Sequence, residues 1–146
     1  MPDYQYSISL RLRHPSRSLG DMSAELEIDP RWIWKVGDPR KTPDGKALPG
    51  VYPNSYWSAR ITTRASSADQ ELAAALGTIL DGLSTKKDIL VDFAGQGGKA
   101  EFFIGWFFDE GNSGEVLGHA LLRRLADFCI DLSFDVYASA LEEQVQ

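Results

Sequence analysis

The chain has 146 residues, 43% of them hydrophobic and 25% charged, which fits one ordinary globular domain and leaves no room for two. A formal net charge of −6 repels phosphate backbones, so no nucleic acid is expected as a partner and a basic partner protein is. One cysteine excludes an intramolecular disulfide, and no apolar run approaches the length of a membrane span. Met1-Pro2-Asp3-Tyr4 lacks the basic and apolar regions of a signal peptide, and the expected location is the cytoplasm.

Tyr4, Tyr6, Ile8, Leu10 and Leu12 alternate with Gln5, Ser7, Ser9, Arg11 and Arg13, the period-two pattern of a strand with one buried face. His14-Pro15 ends it. Ser18 with Asp21 reads as a capping pair for a short helix that buries Leu19, Met22 and Leu26 and stops at Asp29-Pro30. From Asp29 to Asn54 five prolines and three glycines break every period, with turn signals at Asp44-Gly45 and Pro49-Gly50. This stretch reads as a long Pro/Gly/Trp-rich loop, and its Trp32, Trp34, Val36 and Tyr52 are expected to pack down.

Trp57, Ala59 and Ile61 alternate with Tyr56, Ser58, Arg60 and Thr62 in a second strand, Ser55 to Thr63. Ser67 with Gln70 then caps a helix whose stripe is Leu72, Leu76, Ile79, Leu80 and Leu83. Thr85 with Asp88 caps the next, which buries Ile89, Leu90 and Phe93 and stops at Gly95, Gly97 or Gly98. Lys99 to Phe108 is a third strand, apolar on both faces and therefore central. Asp109 to Gly114 is a turn. A last helix buries Leu117, Leu121, Leu125 and Phe128, and a fourth strand follows from Ile130 to Tyr137.

The expected fold is a two-layer α+β domain over residues 1–138 with an acidic tail at 139–146. Its four-stranded, mostly antiparallel sheet is ferredoxin-like, with split β-α-β units packed against helices.

Several segments carry a resemblance that covers nearly the whole chain. They are Tyr6-Ser7-Ile8-Ser9-Leu10, Trp34-Lys35-Val36-Gly37-Asp38-Pro39, Tyr56-Trp57-Ser58, Leu80-Asp81-Gly82-Leu83 with Lys86-Lys87-Asp88, Leu121-Leu122-Arg123-Arg124-Leu125-Ala126, and Ile130-Asp131-Leu132-Ser133-Phe134-Asp135-Val136-Tyr137. Together they resemble the bacterial domain of unknown function 4279. None is a catalytic signature, so the resemblance implies a fold family and no reaction. Small families of this kind often include immunity proteins that neutralise a toxin, which is the function it permits.

The residues themselves offer no catalytic set, and the expectation is a protein that is not an enzyme, with no catalytic residue, metal or cofactor. His14 and His119 are the two histidines, and Cys129, between Phe128 and Ile130, is expected to be buried. Ten positions separate His119 from Cys129, which leaves them unaligned on a helix. Asp109, Glu110, Asn112 and Glu115 read as a solvated turn, and Gly95-Gln96-Gly97-Gly98-Lys99 lacks the Ser or Thr and the helix of a phosphate loop.

The outer sheet face is the remaining feature. It is expected to carry Arg11, Arg13, Tyr56, Arg60, Glu101, Phe103, Phe107, Asp131, Asp135 and Tyr137, with cross-strand pairs joining the arginines to the two aspartates. Phe103 and Phe107 need cover, either from Trp32, Trp34 or Tyr52 of the long loop or from a partner. The first functional reading is therefore a non-catalytic protein-binding domain of the immunity type. The second is a small-molecule or enzymatic pocket between the 29–54 loop and the sheet, contacted by Trp34, Asp38, Arg40, Trp57 and Arg60. A third is an oligomer whose exposed strand pairs with itself, so the expected state is a monomer or weak homo-oligomer.

Overall fold

The computed structural model describes residues 3–109 and 111–138. In chain order these form β1 (Gln5–His14), α1 (Met22–Leu26), β2 (Trp32–Trp34), β3 (Pro39–Lys41), β4 (Ala47–Val51), β5 (Ser55–Ser66) and α2 (Leu72–Gly82). A 3-10 turn (Ser84–Lys86), α3 (Lys87–Gly95), β6 (Lys99–Phe108), α4 (His119–Asp127) and β7 (Ile130–Ala138) complete them.

The main sheet has five strands in the order β2-β5-β1-β6-β7, and β3 pairs with β4 in a separate hairpin. β1 lies antiparallel between β5 and β6, β2 joins the far side of β5 antiparallel, and β7 runs parallel to β6. The architecture is thus α+β, but the expected four-stranded ferredoxin-like sheet gives way to a mixed one. Two physical causes account for the difference. A single helix, α4, carries the chain from β6 to its immediate parallel neighbour, the crossover that parallel strands require. And the supposed loop supplies β2, whose three residues are too few to show a period yet pair in register with Ser58, Trp57 and Tyr56. Its Asp44-Gly45 signal marks the hairpin turn, where Gly45 (φ 90°) donates its N–H to the Thr42 carbonyl at 2.9 Å.

The alternation in β1 sets the core. Leu12 lies between Trp57 and Ala100, Leu10 between Ala59 and Phe102, and Ile8 opposite Ile104. Met22 and Leu26 of α1, Leu72, Leu76 and Leu80 of α2, Leu90 and Phe93 of α3 and Leu125 of α4 close over this face. Full burial of each such side chain contributes about 1.5–3 kcal/mol relative to exposure. Leu117 and Phe128 join the core from just outside α4, which is shorter at both ends than its apolar stripe suggests.

None of the three expected capping pairs forms. Asp21 instead meets Arg17 at 2.7 Å. Ser67 Oγ accepts the Tyr4 N–H at 2.9 Å, and the main-chain carbonyl of Gln70 accepts the Tyr6 hydroxyl at 2.9 Å. The cap of α2 comes from across the sheet instead: the Tyr4 hydroxyl accepts the Leu72 N–H at 2.9 Å and donates to the Glu115 carboxylate. Burial first, and then the bond to Glu115, push the Tyr4 phenol well above its ordinary value.

Candidate functional site

The helices pack on one face of the sheet, and the opposite face presents its side chains in rows. Across β1, β6 and β7 these are Arg11-Glu101-Asp131, Ser9-Phe103-Ser133, Ser7-Gly105-Asp135 and Gln5-Phe107-Tyr137. β5 adds Tyr56, Ser58 and Arg60 opposite Arg13, Arg11 and Ser9, and β2 sets Trp34 beside Tyr56. The register therefore brings together all ten residues expected on this face.

Within the chain, arginines and not the loop aromatics cover Phe103 and Phe107. The Arg11 guanidinium lies 4.1 Å above the Phe103 ring, and the Arg64 guanidinium 3.5 Å above Phe107, which also stacks on Tyr137. The loop aromatics are occupied elsewhere: Trp34 is held between Tyr52 at 4.5 Å and Tyr56 at 4.4 Å, with Arg13 5.1 Å from the Tyr56 ring. Cation–π attraction and the aliphatic stems of the arginines thus shield rings that water would otherwise meet.

The arginines do not pair with the aspartates either. Glu101, on the strand between them, takes both: Arg11 at 2.6 Å and Arg13 at 3.2 Å. Partial burial opposes ionisation of Glu101, but the hydrogen bond and charge of Arg11, with Arg13 behind, hold its carboxyl below the usual range. Among the described residues, Arg60, Asp131 and Asp135 form no ion pair, and Asp135 accepts the Tyr137 hydroxyl. With Arg11, Arg13, Arg60, Arg64 and Lys99 against three carboxylates, this face has a positive surplus in a chain of net charge −6. A Cβ on Gly105 would lie 2.5 Å from Ser7 Oγ and 3.1 Å from the Phe107 ring, so these two side chains fill the space that the glycine leaves.

A concavity of about 760 Å³ lies between β2 and the β3–β4 hairpin, lined by Trp32, Trp34, Asp38, Arg40, Tyr52 and Tyr56 among others. Of the residues expected there, Trp57 is fully buried in the core with its indole N–H donating to Ser23 Oγ, and Arg60 stands on the open face outside the lining. Tyr56 is common to both surfaces. Arg64 was not foreseen as a site residue, because the expected strand stopped at Thr63, whereas β5 runs on to Ser66.

Cys129 is exposed rather than buried. It adopts a left-handed conformation (φ 57°) in the turn from α4 to β7, which swings its side chain off the apolar stripe that its neighbours Phe128 and Ile130 occupy. His119 opens α4 and Cys129 lies past its end, so the helix separates them. His14 is buried, with Nδ1 accepting the N–H groups of Ser16 and Arg17 at 3.1 and 2.8 Å while Nε2 donates to the Gln96 carbonyl at 2.9 Å, which fixes the tautomer. Gly97 (φ 95°) makes the turn between α3 and β6, and Gly98 sits where a Cβ would strike the Phe93 ring at 2.5 Å.

Among the described residues, no group of three or more His, Cys, Asp or Glu side chains is placed to hold a metal ion. Glu110 of the acidic turn and the tail at 139–146 lie outside those residues. No helix among them is long and apolar enough to cross a membrane. No curated protein and no solved structure matches the chain. The family described as "Domain of unknown function (DUF4279)" matches residues 4–139, nearly the whole length on which the segment resemblance was drawn, and the chain belongs to that family.

Proposed function

We propose that this chain is a non-catalytic binding domain, of the kind an immunity-type inhibitor would be, and that it docks a partner protein on the open sheet face. The observation that carries this reading is the pair of half-buried phenylalanines on that face, each under a guanidinium group. Mixed aromatic and arginine surfaces supply the anchors of protein interfaces. Net charge alone suggests a basic partner. The face itself favours a contact segment with carboxylates, since its cations outnumber its anions and Arg60 is unpaired among the described residues.

The test is affinity capture from source cells with the native chain and with Phe103→Ser in parallel. Phe103 lies off the core, so the variant keeps the native circular dichroism and melting behaviour. One protein captured in near-equal amount by the native chain and lost with the variant supports the reading. Equal capture by both moves the contact off this face, and global unfolding of the variant makes Phe103 a core residue.

The aromatic cleft favours a second reading, a small-molecule site between β2 and the β3–β4 hairpin. Trp32 is 38% exposed at its wall, so a ligand there would change tryptophan emission, and Trp32→Phe would remove much of the change.

A further inference from the structure

Resting on the small-molecule reading of the aromatic cleft, we infer that its ligand is a flat ring carrying one anionic group, a carboxylate or a phosphate. The charge of this stretch is opposite to that of the whole chain. Residues 31–54 hold Arg31, Lys35, Arg40, Lys41 and Lys46 against Asp38 and Asp44, a positive surplus in a chain of net charge −6. Arg40, Lys41 and Asp38 are the charged residues of the cleft lining, two cations against one carboxylate. Among the described residues none of the three forms an ion pair. A ligand without an anion would cover the cations and leave them uncompensated, which costs free energy. One carboxylate or phosphate group offsets the surplus.

The cleft also has a fixed shape. The Tyr52 N–H donates to the Asp38 carbonyl at 3.0 Å, its carbonyl accepts the Gly37 N–H at 2.9 Å, and its hydroxyl accepts the Lys41 N–H at 3.1 Å. The ring so held backs Trp34, whose other face meets Tyr56, so Trp34 has no face to offer a ligand. Trp32 does. It is 38% exposed, and its neighbour is the Arg31 guanidinium, 5.5 Å from the ring centroid. A flat ring laid on Trp32 gains a stacking contact that an aliphatic ligand would not. The turn from Lys35 to Asp38 joins β2 to β3, which sets Asp38 where the two walls meet and Arg40 and Lys41 further along β3. Repulsion from the Asp38 carboxylate therefore turns the ligand's anion toward that strand. Every residue from Trp32 to Tyr56 is described. The ends of the described stretches, at Asp3, Asp109 and Ala138, lie at the other end of the sheet, by the row Gln5-Phe107-Tyr137.

Calorimetric titration of the full chain tests this, with the indole N–H proton resonances followed in parallel. The probes are adenosine monophosphate and benzoate, their uncharged counterparts adenosine and benzamide, and the ringless anions phosphate and acetate. Adenosine monophosphate or benzoate should bind about tenfold tighter than its counterpart, the difference one charged hydrogen bond makes. It should also shift the Trp32 resonance, assigned with Trp32→Phe. Which of the two binds separates a phosphate ligand from a carboxylate one. Arg40→Ala should remove most of the tenfold difference and Asp38→Asn should tighten the anion, with circular dichroism unchanged in both. Equal binding of charged and uncharged counterparts leaves the cleft a small-molecule site and overturns its preference for an anion. Phosphate or acetate binding as tightly as the ring-bearing anions overturns the need for a ring. Silence from every probe removes both the anion preference and the small-molecule reading.

Discussion

Tyr4→Phe tests how the sheet holds α2. The substitution removes one oxygen and leaves the ring, which is 5% exposed and stacks on Trp106 at a centroid distance of 3.8 Å. The lost oxygen accepts the buried Leu72 N–H and donates to Glu115. Glu115 is only half-buried and can recover hydration, so that loss is small. The Leu72 N–H has no such recourse, since the helix begins at that residue and the N-cap residue, Glu71, makes no side-chain bond to it. An unsatisfied buried donor costs about 1–3 kcal/mol, so a total of about 2–3 kcal/mol is expected. For a chain of this size that lowers the melting temperature by roughly 4–10 °C. Urea unfolding followed by tryptophan emission and far-ultraviolet circular dichroism measures it. Alkaline pH gives a second reading. The folded Tyr4 phenol ionises above its unfolded value of about 10, so its contribution is complete below pH 10 and lost as pH rises toward the folded value. The alkaline loss of stability should therefore be smaller in Tyr4→Phe. A drop below about 0.5 kcal/mol with an unchanged alkaline limb would refute the cross-sheet cap.

Three further outcomes are expected. His14→Ala strands two N–H groups and one carbonyl where β1 meets the α3–β6 turn, and should cost about 2–4 kcal/mol in urea unfolding, while ring-preserving changes at the exposed His119 cost little. Gly98→Ala drives a methyl into Phe93, itself 1% exposed and unable to yield, and should cost about 1–3 kcal/mol; Gly118→Ala, with nothing within 4 Å, serves as its control. Glu101 has a lowered folded value, so its contribution is present above the unfolded value of 4.5 and lost as pH falls through the folded one. Glu101→Gln should flatten the acid limb of a stability–pH profile.

What was legible in the sequence is what a period reports. The alternations at Tyr4–Leu12, Ser55–Thr63, Lys99–Phe108 and Ile130–Tyr137 gave four strands and the parity of the open face, so its ten residues could be named before their register was known. Helix starts were not legible. Ser67 and Gln70 have the spacing of a capping box, yet Ser67 Oγ accepts the N–H of Tyr4, more than sixty residues away along the chain. Local rules count local acceptors and miss a tertiary competitor. The same limit hid β2, whose ladder is supplied by β5, and Cys129, whose exposure follows from one left-handed residue. Arg64 escaped notice because the expected second strand stopped at Thr63, whereas β5 runs three residues further.

The arginines of the open face bear on how a partner would engage it. A guanidinium stacked on a ring spends its flat surface on the ring and keeps its N–H donors at the edge, in the plane. Arg64 uses Nε for Gln5 Oε1 at 2.8 Å while lying over Phe107, and among the described residues it forms no ion pair. A carboxylate can therefore join Arg64 without removing it from the ring, and the phenylalanine stays covered throughout. Arg11 differs, because Glu101 already occupies its donors. An incoming carboxylate should thus engage the β5 side of the face, at Arg60 and Arg64, and not the β1–β6 side. Steering by exposed charges is screened by salt, so Arg60→Ala and Arg64→Ala should each slow association and weaken its ionic-strength dependence, whereas Arg11→Ala should mainly loosen the sheet. Stopped-flow association rates across a salt series separate the two sides. Equal salt slopes for all three variants would mean that carboxylate contacts on this face are not ordered by which arginines are already paired.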